Sequence, residues 1–268
     1  MPSLKVDLFN LAATIESGQL FRFEKRASQF IISHGDEVFC VSQEGDRLRY
    51  SGIDQTKLSD FLRLDEDHIA VQKDINKDIW LNEAIQKYSG LRLARQDPWE
   101  CLIGFVCSSA SNIPKIRMNL ENISRHFGTP RSFGGDVRFT FPKPGKIDDL
   151  DLIRKSKAGF RADYIHKINQ VVDRGFLDGL RDLPYDEAKK ELTSLPGVGS
   201  KVADCVLLFS LGFDEAFPID TWVQRIMGEF YLPKGTSHDR MQVFARDYFG
   251  PRAGYAQQYL FHWRRNLP

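Results

Sequence analysis

The sequence predicts an α+β chain: a small N-terminal unit built on an antiparallel sheet, followed by an all-helical domain. Three observations predict it. Residues 21–50 alternate β-rich runs with glycine turns, strand signals nearly vanish after Asp97, and the run 195–220 (LPGVGSKVADCVLLFSLGFDEAFPID) sets helical patterns on both sides of a glycine-broken turn. The expected division is 1–94 for the α/β unit and 95–268 for the helical domain, with the helix pair at about 187–212.

The sheet is expected from runs near 28–33, 37–43 and 47–51, separated by His34-Gly35-Asp36 and Glu44-Gly45-Asp46, both suited to hairpin turns. Helical pattern follows at about 54–62 and 79–88. Asp97-Pro98 caps a helix over WECLIGFVCSS, Asn112-Ile113-Pro114 opens KIRMNLENISRHF, and Gly128-Thr129-Pro130 closes it. Residues 130–145, rich in Gly, Pro and aromatics, read as an extended loop. Helices recur near 147–155, 161–174, 185–194, 200–212, 221–230, 237–249 and 253–265. A helical domain of that length has room for a cleft between helical layers.

At 268 residues, 42% hydrophobic and 27% charged, the chain is long enough for two packed domains. Its net charge is +1 and its pI about 7.7, so any field for DNA must come from local clustering. One such cluster is Lys115, Arg117, Arg125 and Arg131, interrupted only by Glu121. Cys40, Cys101, Cys107 and Cys205 are too irregularly spaced for a zinc site or a disulfide framework, and are expected as buried thiols. No cysteine follows Cys205, which argues against a C-terminal iron–sulfur cluster; neither metal nor redox cofactor is expected. The N-terminus lacks a signal-peptide pattern and no segment holds eighteen apolar residues, so a soluble, intracellular, monomeric protein without membrane contact is expected.

The glycine turn has a chemical reading. Gly197 and Gly199 let a second chain approach closely, and the free N–H groups of Gly197, Val198 and Gly199 at the start of the following helix suit a phosphate oxygen. This is a helix-hairpin-helix in outline, a clamp for the DNA backbone. Lys201 falls on the first turn of the second helix, where the macrodipole and partial burial disfavour an ammonium and make the amine a nucleophile. Asp220, preceding TWVQRIM, is the expected N-cap of the next helix and stays charged.

LPGVGSKVADC followed by Pro218-Ile219-Asp220 resembles the helix-hairpin-helix DNA glycosylases, in the form whose lysine gives 8-oxoguanine DNA glycosylases their lyase activity. SGQLFRF at 17–23, RQDPWECLIGFVCSS at 95–109, GFRADY at 159–164 and AGYAQQYLF at 253–261 resemble segments of the same family in the same order, so the likeness spans nearly the whole chain. It implies a bifunctional enzyme acting on double-stranded DNA that contains 8-oxoguanine. Lys201 attacks C1′ and forms a Schiff base, β-elimination then nicks the strand, and Asp220 stabilises positive charge at C1′.

The resemblance also distributes the reading of the base. The Gly18 carbonyl accepts from N7–H, the proton that distinguishes 8-oxoguanine from guanine. Gln257 and Phe261, four apart on one helix face, hold a base edge and its ring, and Cys205, four after Lys201, packs on the other side. Trp222 stands where many family members have a histidine near the lesion's phosphate. Asn112 and Arg161 belong to the DNA-binding set, Arg161 matching one of two arginines that read the orphaned base. Ala110 replaces the family's opposite-base asparagine and Lys115 its second arginine, which predicts relaxed preference for cytosine. Two alternatives stand beside this reading: a related glycosylase for alkylated bases or adenine mispairs, which Lys201 argues against, and a non-catalytic DNA-binding module, which needs neither that lysine nor a base pocket.

Overall fold

A computed structural model describes residues 1–267 and shows a mixed α+β chain with a small antiparallel sheet and a large helical part. Strands β1 (Ser3–Lys5), β2 (Phe23–Arg26), β3 (Gln29–His34), β4 (Glu37–Glu44) and β5 (Arg47–Ser51) form one sheet in the order β1-β5-β4-β3-β2. Both turns expected within the meander are present, and the pairing sets Phe30 opposite Val41, Ile32 opposite Phe39 and Val41 opposite Tyr50. Alternation then puts Phe30, Ile32, Phe39, Val41, Leu48 and Tyr50 on one face, buried against α1 (Leu11–Glu16) and α2 (Gln55–Phe61). The other face carries Ile31, Val38 and Cys40, which Phe133 covers.

Phe133 belongs to a hairpin that the sequence reading took for a loop. Strands β6 (Pro130–Phe133) and β7 (Asp136–Phe139) turn at Gly134-Gly135, both at positive φ (61° and 88°), which a two-residue hairpin requires. Strands this short and exposed show little alternation, so the two glycines between Phe133 and Asp136 were the usable signal.

Helices α3 (His68–Ile75) and α4 (Ile79–Lys87) follow, then α5 (Pro98–Cys107) and α6 (Ile113–Phe127). Asp97 and Asn112 cap α5 and α6 as expected, accepting from Glu100 N at 3.0 Å and Lys115 N at 3.0 Å. All ten residues of α5 are buried, making it the central rod of the helical core. Around it stand α7 (Leu150–Lys155), α8 (Arg161–Val171), α9 (Arg174–Gly179), α10 (Tyr185–Thr193), α11 (Ser200–Val206), α12 (Thr221–Phe230), α13 (His238–Phe249) and α14 (Ala253–Arg265). The pattern expected to run through 161–174 breaks at Val172, because Asp173 caps a new helix by accepting from Phe176 N at 2.7 Å. That expected over 200–212 widens after Val206 into a π turn and ends at Gly212, whose φ of 88° terminates it.

Val71, Ile75, Leu81, Ala84 and Ile85 of α3 and α4 share the large core with α14, while the sheet keeps its own cluster. Both chain ends therefore meet at one place. Gln258 on α14 donates to the Ser17 carbonyl at 3.1 Å, tying the last helix to the turn after α1.

Candidate active site and DNA interface

The hairpin between α10 and α11 turns at Gly197, whose φ is 75°. A Cβ there would lie 2.5 Å from Cδ2 of Tyr164 on α8, so both the backbone angle and the close approach of the ring demand glycine. Gly197 and Gly199 are exposed, and among the described residues no acceptor takes their N–H groups. Val198 differs from the expectation: its side chain is buried and its N–H is spent on the Leu195 carbonyl at 3.1 Å. Two N–H groups of the turn are left for a phosphate, followed by those opening α11.

Lys201 sits half-buried on the first turn of α11. Its Nζ donates to Ser108 Oγ at 2.8 Å and lies 4.9 Å from the centre of the Phe105 ring, both groups from the end of α5. Ser108 Oγ in turn donates to the Phe105 carbonyl at 2.6 Å, which leaves its lone pairs to the amine. Among the described residues no carboxylate lies within ion-pair distance of Nζ. One helical turn on, the Cys205 thiol is buried, and desolvation pushes it up to about 12 despite the nearby Lys201, so it packs as a neutral thiol.

Between Lys201 and Cys205, Asp204 fixes α11. Its fully buried carboxylate accepts from Tyr185 Oη at 2.6 Å, Lys189 Nζ at 2.9 Å and Gln242 Nε2 at 2.9 Å, which pins α11 to α10 and α13. Burial raises its pKa, an effect that Lys189 opposes.

Asp220 caps α12, accepting with Oδ1 from Trp222 N at 2.9 Å and Val223 N at 2.8 Å. Its Oδ2 has no donor among the described residues, and its charge acts on both Cys205 and Arg265. Trp222 is exposed beside it, with the Arg225 guanidinium 5.6 Å from its ring.

Gly18, from the other end of the chain, lies against α14. A Cβ placed on it would be 3.2 Å from Phe261 Cε1, so the structure brings these two residues together as the sequence suggested. No described donor reaches the Gly18 carbonyl, and Gln257 Oε1, buried on the same helix as Phe261, also has no partner. Two acceptors thus stand unsatisfied near an aromatic face, which a purine with N–H groups would complete.

The residues expected to meet the opposite strand are more constrained. Arg161 is buried, and its guanidinium donates to the carbonyls of Ser109 (from Nε at 2.8 Å), Ala110 (2.9 Å) and Ala158 (3.2 Å). It braces the loop between α5 and α6. That loop needs bracing, because Ala110 is exposed at a φ of 47°. Asn112 uses its side-chain oxygen on the α6 cap. In the basic cluster, Arg117 lies 3.9 Å from the Phe23 ring centre, and Arg125 pairs with Glu121 at 3.2 Å, so only Lys115 and Arg131 are uncommitted.

Sequence reading missed Ser108 and Phe105, which hold the Lys201 amine, and Phe160, an aromatic 58% exposed at the start of α8. All three lie in the segments 95–109 and 159–164, but nothing in a linear pattern says which side chains there turn inward. A separate cleft of about 510 Å³ between β2, α6 and β7 is lined by Arg22, Arg26, Arg117, Arg125 and Arg138. Glu24, Asp136 and Glu121 share its walls, and it contains none of the site residues. Among the described residues no group of three or more His, Cys, Asp or Glu could hold a metal ion, all four cysteines are free and buried, and no helix is long and apolar enough to cross a membrane.

A glycine-turned helix pair with a lysine on its second helix, a capped carboxylate after it, and Gly18 set against Phe261 of the last helix are the marks of a helix-hairpin-helix DNA glycosylase of the lysine-bearing kind. Comparison narrows the class. The family model for the N-terminal domain of 8-oxoguanine DNA glycosylase matches residues 3–102. A probable N-glycosylase/DNA lyase of Methanothermobacter thermautotrophicus is 33% identical over 213 residues, covering 69% of this chain and 67% of the relative. The N-glycosylase/DNA lyase OGG1 of Arabidopsis thaliana is 32% identical over 284 residues, covering 94% and 76%. The 8-oxoguanine glycosylase/lyase of Clostridium acetobutylicum, solved with double-stranded DNA containing cytosine opposite 8-oxoguanine, superposes with a TM-score of 0.91 at 30% identity, covering 96% and 92%. The chain belongs to the 8-oxoguanine DNA glycosylase/lyase family.

Proposed function

We propose that this protein excises 8-oxoguanine from duplex DNA and nicks the strand, with Lys201 as nucleophile and Asp220 as the fixed charge beside it. The carrying observation is the Lys201 amine: it hangs from the first turn after the hairpin, beside the Cys205 thiol, held by one hydroxyl and, among the described residues, out of ion-pair distance of any carboxylate. As its nitrogen bonds to C1′, the C1′–N9 bond breaks and the departing base takes up the proton shed by the nitrogen. Asp220, held still by two backbone N–H groups, stabilises the positive charge that develops at C1′ without reorganising. The sugar opens to a Schiff base on Lys201; loss of a C2′ proton then expels the 3′ phosphate.

The Gly18 carbonyl takes the N7–H proton, Phe261 stacks on the base, Gln257 meets its Watson–Crick edge and Cys205 packs against the opposite face. The hairpin N–H groups of Gly197 and Gly199, with Lys115 and Trp222, face the DNA backbone, and the protein acts as a monomer in the cell interior. Arg161 acts by shaping the Ala110 loop. Because Ala110 has no polar group, preference for the base opposite the lesion is relaxed.

Borohydride trapping on duplex DNA with one 8-oxoguanine tests the mechanism. The native protein forms a covalent complex and K201Q forms none while still binding the lesion duplex; absence of the complex in the native protein would refute the lysine chemistry.

A further inference from the structure

Every carbonyl of the turn at residues 16–19 is held by a side chain, except one. Arg265 Nη2 donates to Glu16 at 3.2 Å, Gln258 Nε2 to Ser17 at 3.1 Å and Gln96 Nε2 to Gln19 at 2.9 Å; the Gly18 carbonyl has no donor among the described residues. The turn is strapped on both sides of the group assigned to read N7–H. Arg265 contributes more than one strap. It lies one helical turn after Phe261, its guanidinium is 5.1 Å from the Phe261 ring centre, and Nη1 is 2.8 Å from where a Cβ on Gly18 would stand. One planar group therefore touches the Glu16 carbonyl, the Gly18 backbone and the Phe261 ring together.

One nitrogen of the group is placed at a cost. Nη1 is buried without a hydrogen-bond partner, an arrangement that costs free energy rather than supplying it. We infer that Arg265 is a positioning residue for the lesion base, holding the Gly18 turn at a fixed distance from Phe261 so that the carbonyl and the ring engage the same purine. The inference rests on the assignment of Gly18 and Phe261 to the base site.

Base excision uses the Gly18 and Phe261 contacts, whereas cleavage of a preformed abasic site needs only Lys201 and the sugar. Arg265→Met, which keeps an apolar stem over Phe261 but removes the strap, is expected to slow single-turnover release of 8-oxoguanine on the order of 10- to 100-fold, the effect of misplacing a reacting partner by about an ångström. Borohydride trapping of the same variant on a preformed abasic duplex stays within about twofold of the native protein. Arg265→Lys, which retains a donor for the Glu16 carbonyl, recovers part of the excision rate. Equal losses in the two reactions would show that Arg265 merely supports the fold, and an excision rate within twofold of native would show that it positions nothing; either overturns the inference. Failure of the native protein to trap abasic DNA counts against the Lys201 mechanism instead. The preference of K201Q for 8-oxoguanine over guanine duplexes, with and without Arg265→Met, then decides the role of Arg265: about a tenfold drop supports it and no change overturns it.

Discussion

Replacing Gly197 by alanine probes the hairpin through two separable costs. An alanine held at a φ of 75° costs about 1–2 kcal/mol, because the left-handed region crowds Cβ against the following carbonyl. Its Cβ would also stand 2.5 Å from Tyr164 Cδ2, 2.6 Å from Cγ and 3.0 Å from Cβ, against ordinary carbon contacts of about 3.5–4.0 Å. A swing of the ring relieves the first two overlaps but not the third, since Tyr164 Cβ is fixed to α8. Overpacking of this kind costs about 1–3 kcal/mol, so the total is about 2–5 kcal/mol. At about 2–4 °C per kcal/mol the melting temperature falls on the order of 10 °C, measured by calorimetry or circular dichroism. DNA affinity falls as well, because the exposed N–H groups of the turn move with its backbone. In a Tyr164→Ala background the overlaps at 2.5 and 2.6 Å disappear while the φ cost of about 1–2 kcal/mol and the 3.0 Å contact with the Cβ of residue 164 remain, so Gly197→Ala should then cost less than in the native chain. A cost below about 0.5 kcal/mol, within the range of an ordinary surface substitution, or an equal cost in both backgrounds, would refute the reasoning.

Four further outcomes are expected. Asp220→Asn keeps the α12 cap but removes the charge, so base release slows on the order of 100-fold in single-turnover assays while the fold persists. Duplexes carrying each of the four bases opposite 8-oxoguanine should be cleaved at comparable rates, and Ala110→Asn with Lys115→Arg should introduce a preference for cytosine; a strong native cytosine preference would contradict the reading of Ala110. Lys189→Met leaves Asp204 charged in a buried site and should destabilise the protein by about 3–5 kcal/mol in denaturant titrations, with Asp204→Asn in the same chain restoring much of the loss. His262 is lowered to about 4, chiefly by burial and then by Arg265 and Lys87, so its neutral form is favoured in the folded state. Its contribution is complete above the ordinary value of 6.5 and is lost as pH falls through 4; over that window it adds a slope approaching about 1.4 kcal/mol per pH unit to the decline of unfolding free energy, beside that of His68, which burial lowers to about 3, and His262→Gln should remove its share.

The legible parts of this chain were those fixed by local chemistry. Asp97, Asn112 and Asp220 cap helices because an Asx side chain before a helical run satisfies N–H groups that nothing else reaches, and the meander turned where glycine stood between β-rich runs. What escaped depends on contacts across the chain. β1 has only three residues and exists because β5 offers it an edge, and the β6–β7 hairpin was hidden by its own shortness. Helix α3, with Ile69 exposed and His68 buried, presents too weak a stripe to stand out before α14 is seen against it. The positions of Lys201 and Cys205 one turn apart on α11, and of Asp220 at the cap of α12, were readable from spacing along two helices. The fate of Arg161 was not, because a guanidinium on a helix start looks the same whether it meets DNA or folds back on the carbonyls of Ser109 and Ala110.

Lys201 and Asp220 are mounted differently, and the mechanism we propose asks for that. In that mechanism Asp220 stabilises a charge that appears and vanishes at C1′, so a carboxylate that had to move would lose part of its effect to reorganisation; two backbone N–H groups immobilise Oδ1, and Oδ2 has no donor among the described residues. In the same mechanism Lys201 travels, first to C1′ and then with the opened sugar, and a strong ion pair would have to be broken at each step. A single hydroxyl and the face of the Phe105 ring hold its amine loosely, while the helix that bears it is fixed by the buried carboxylate of Asp204, three residues on. The anchor and the amine thus occupy one short helix: Asp204 supplies rigidity through contacts that never face the DNA, and Lys201 keeps the freedom of a side chain whose root does not move.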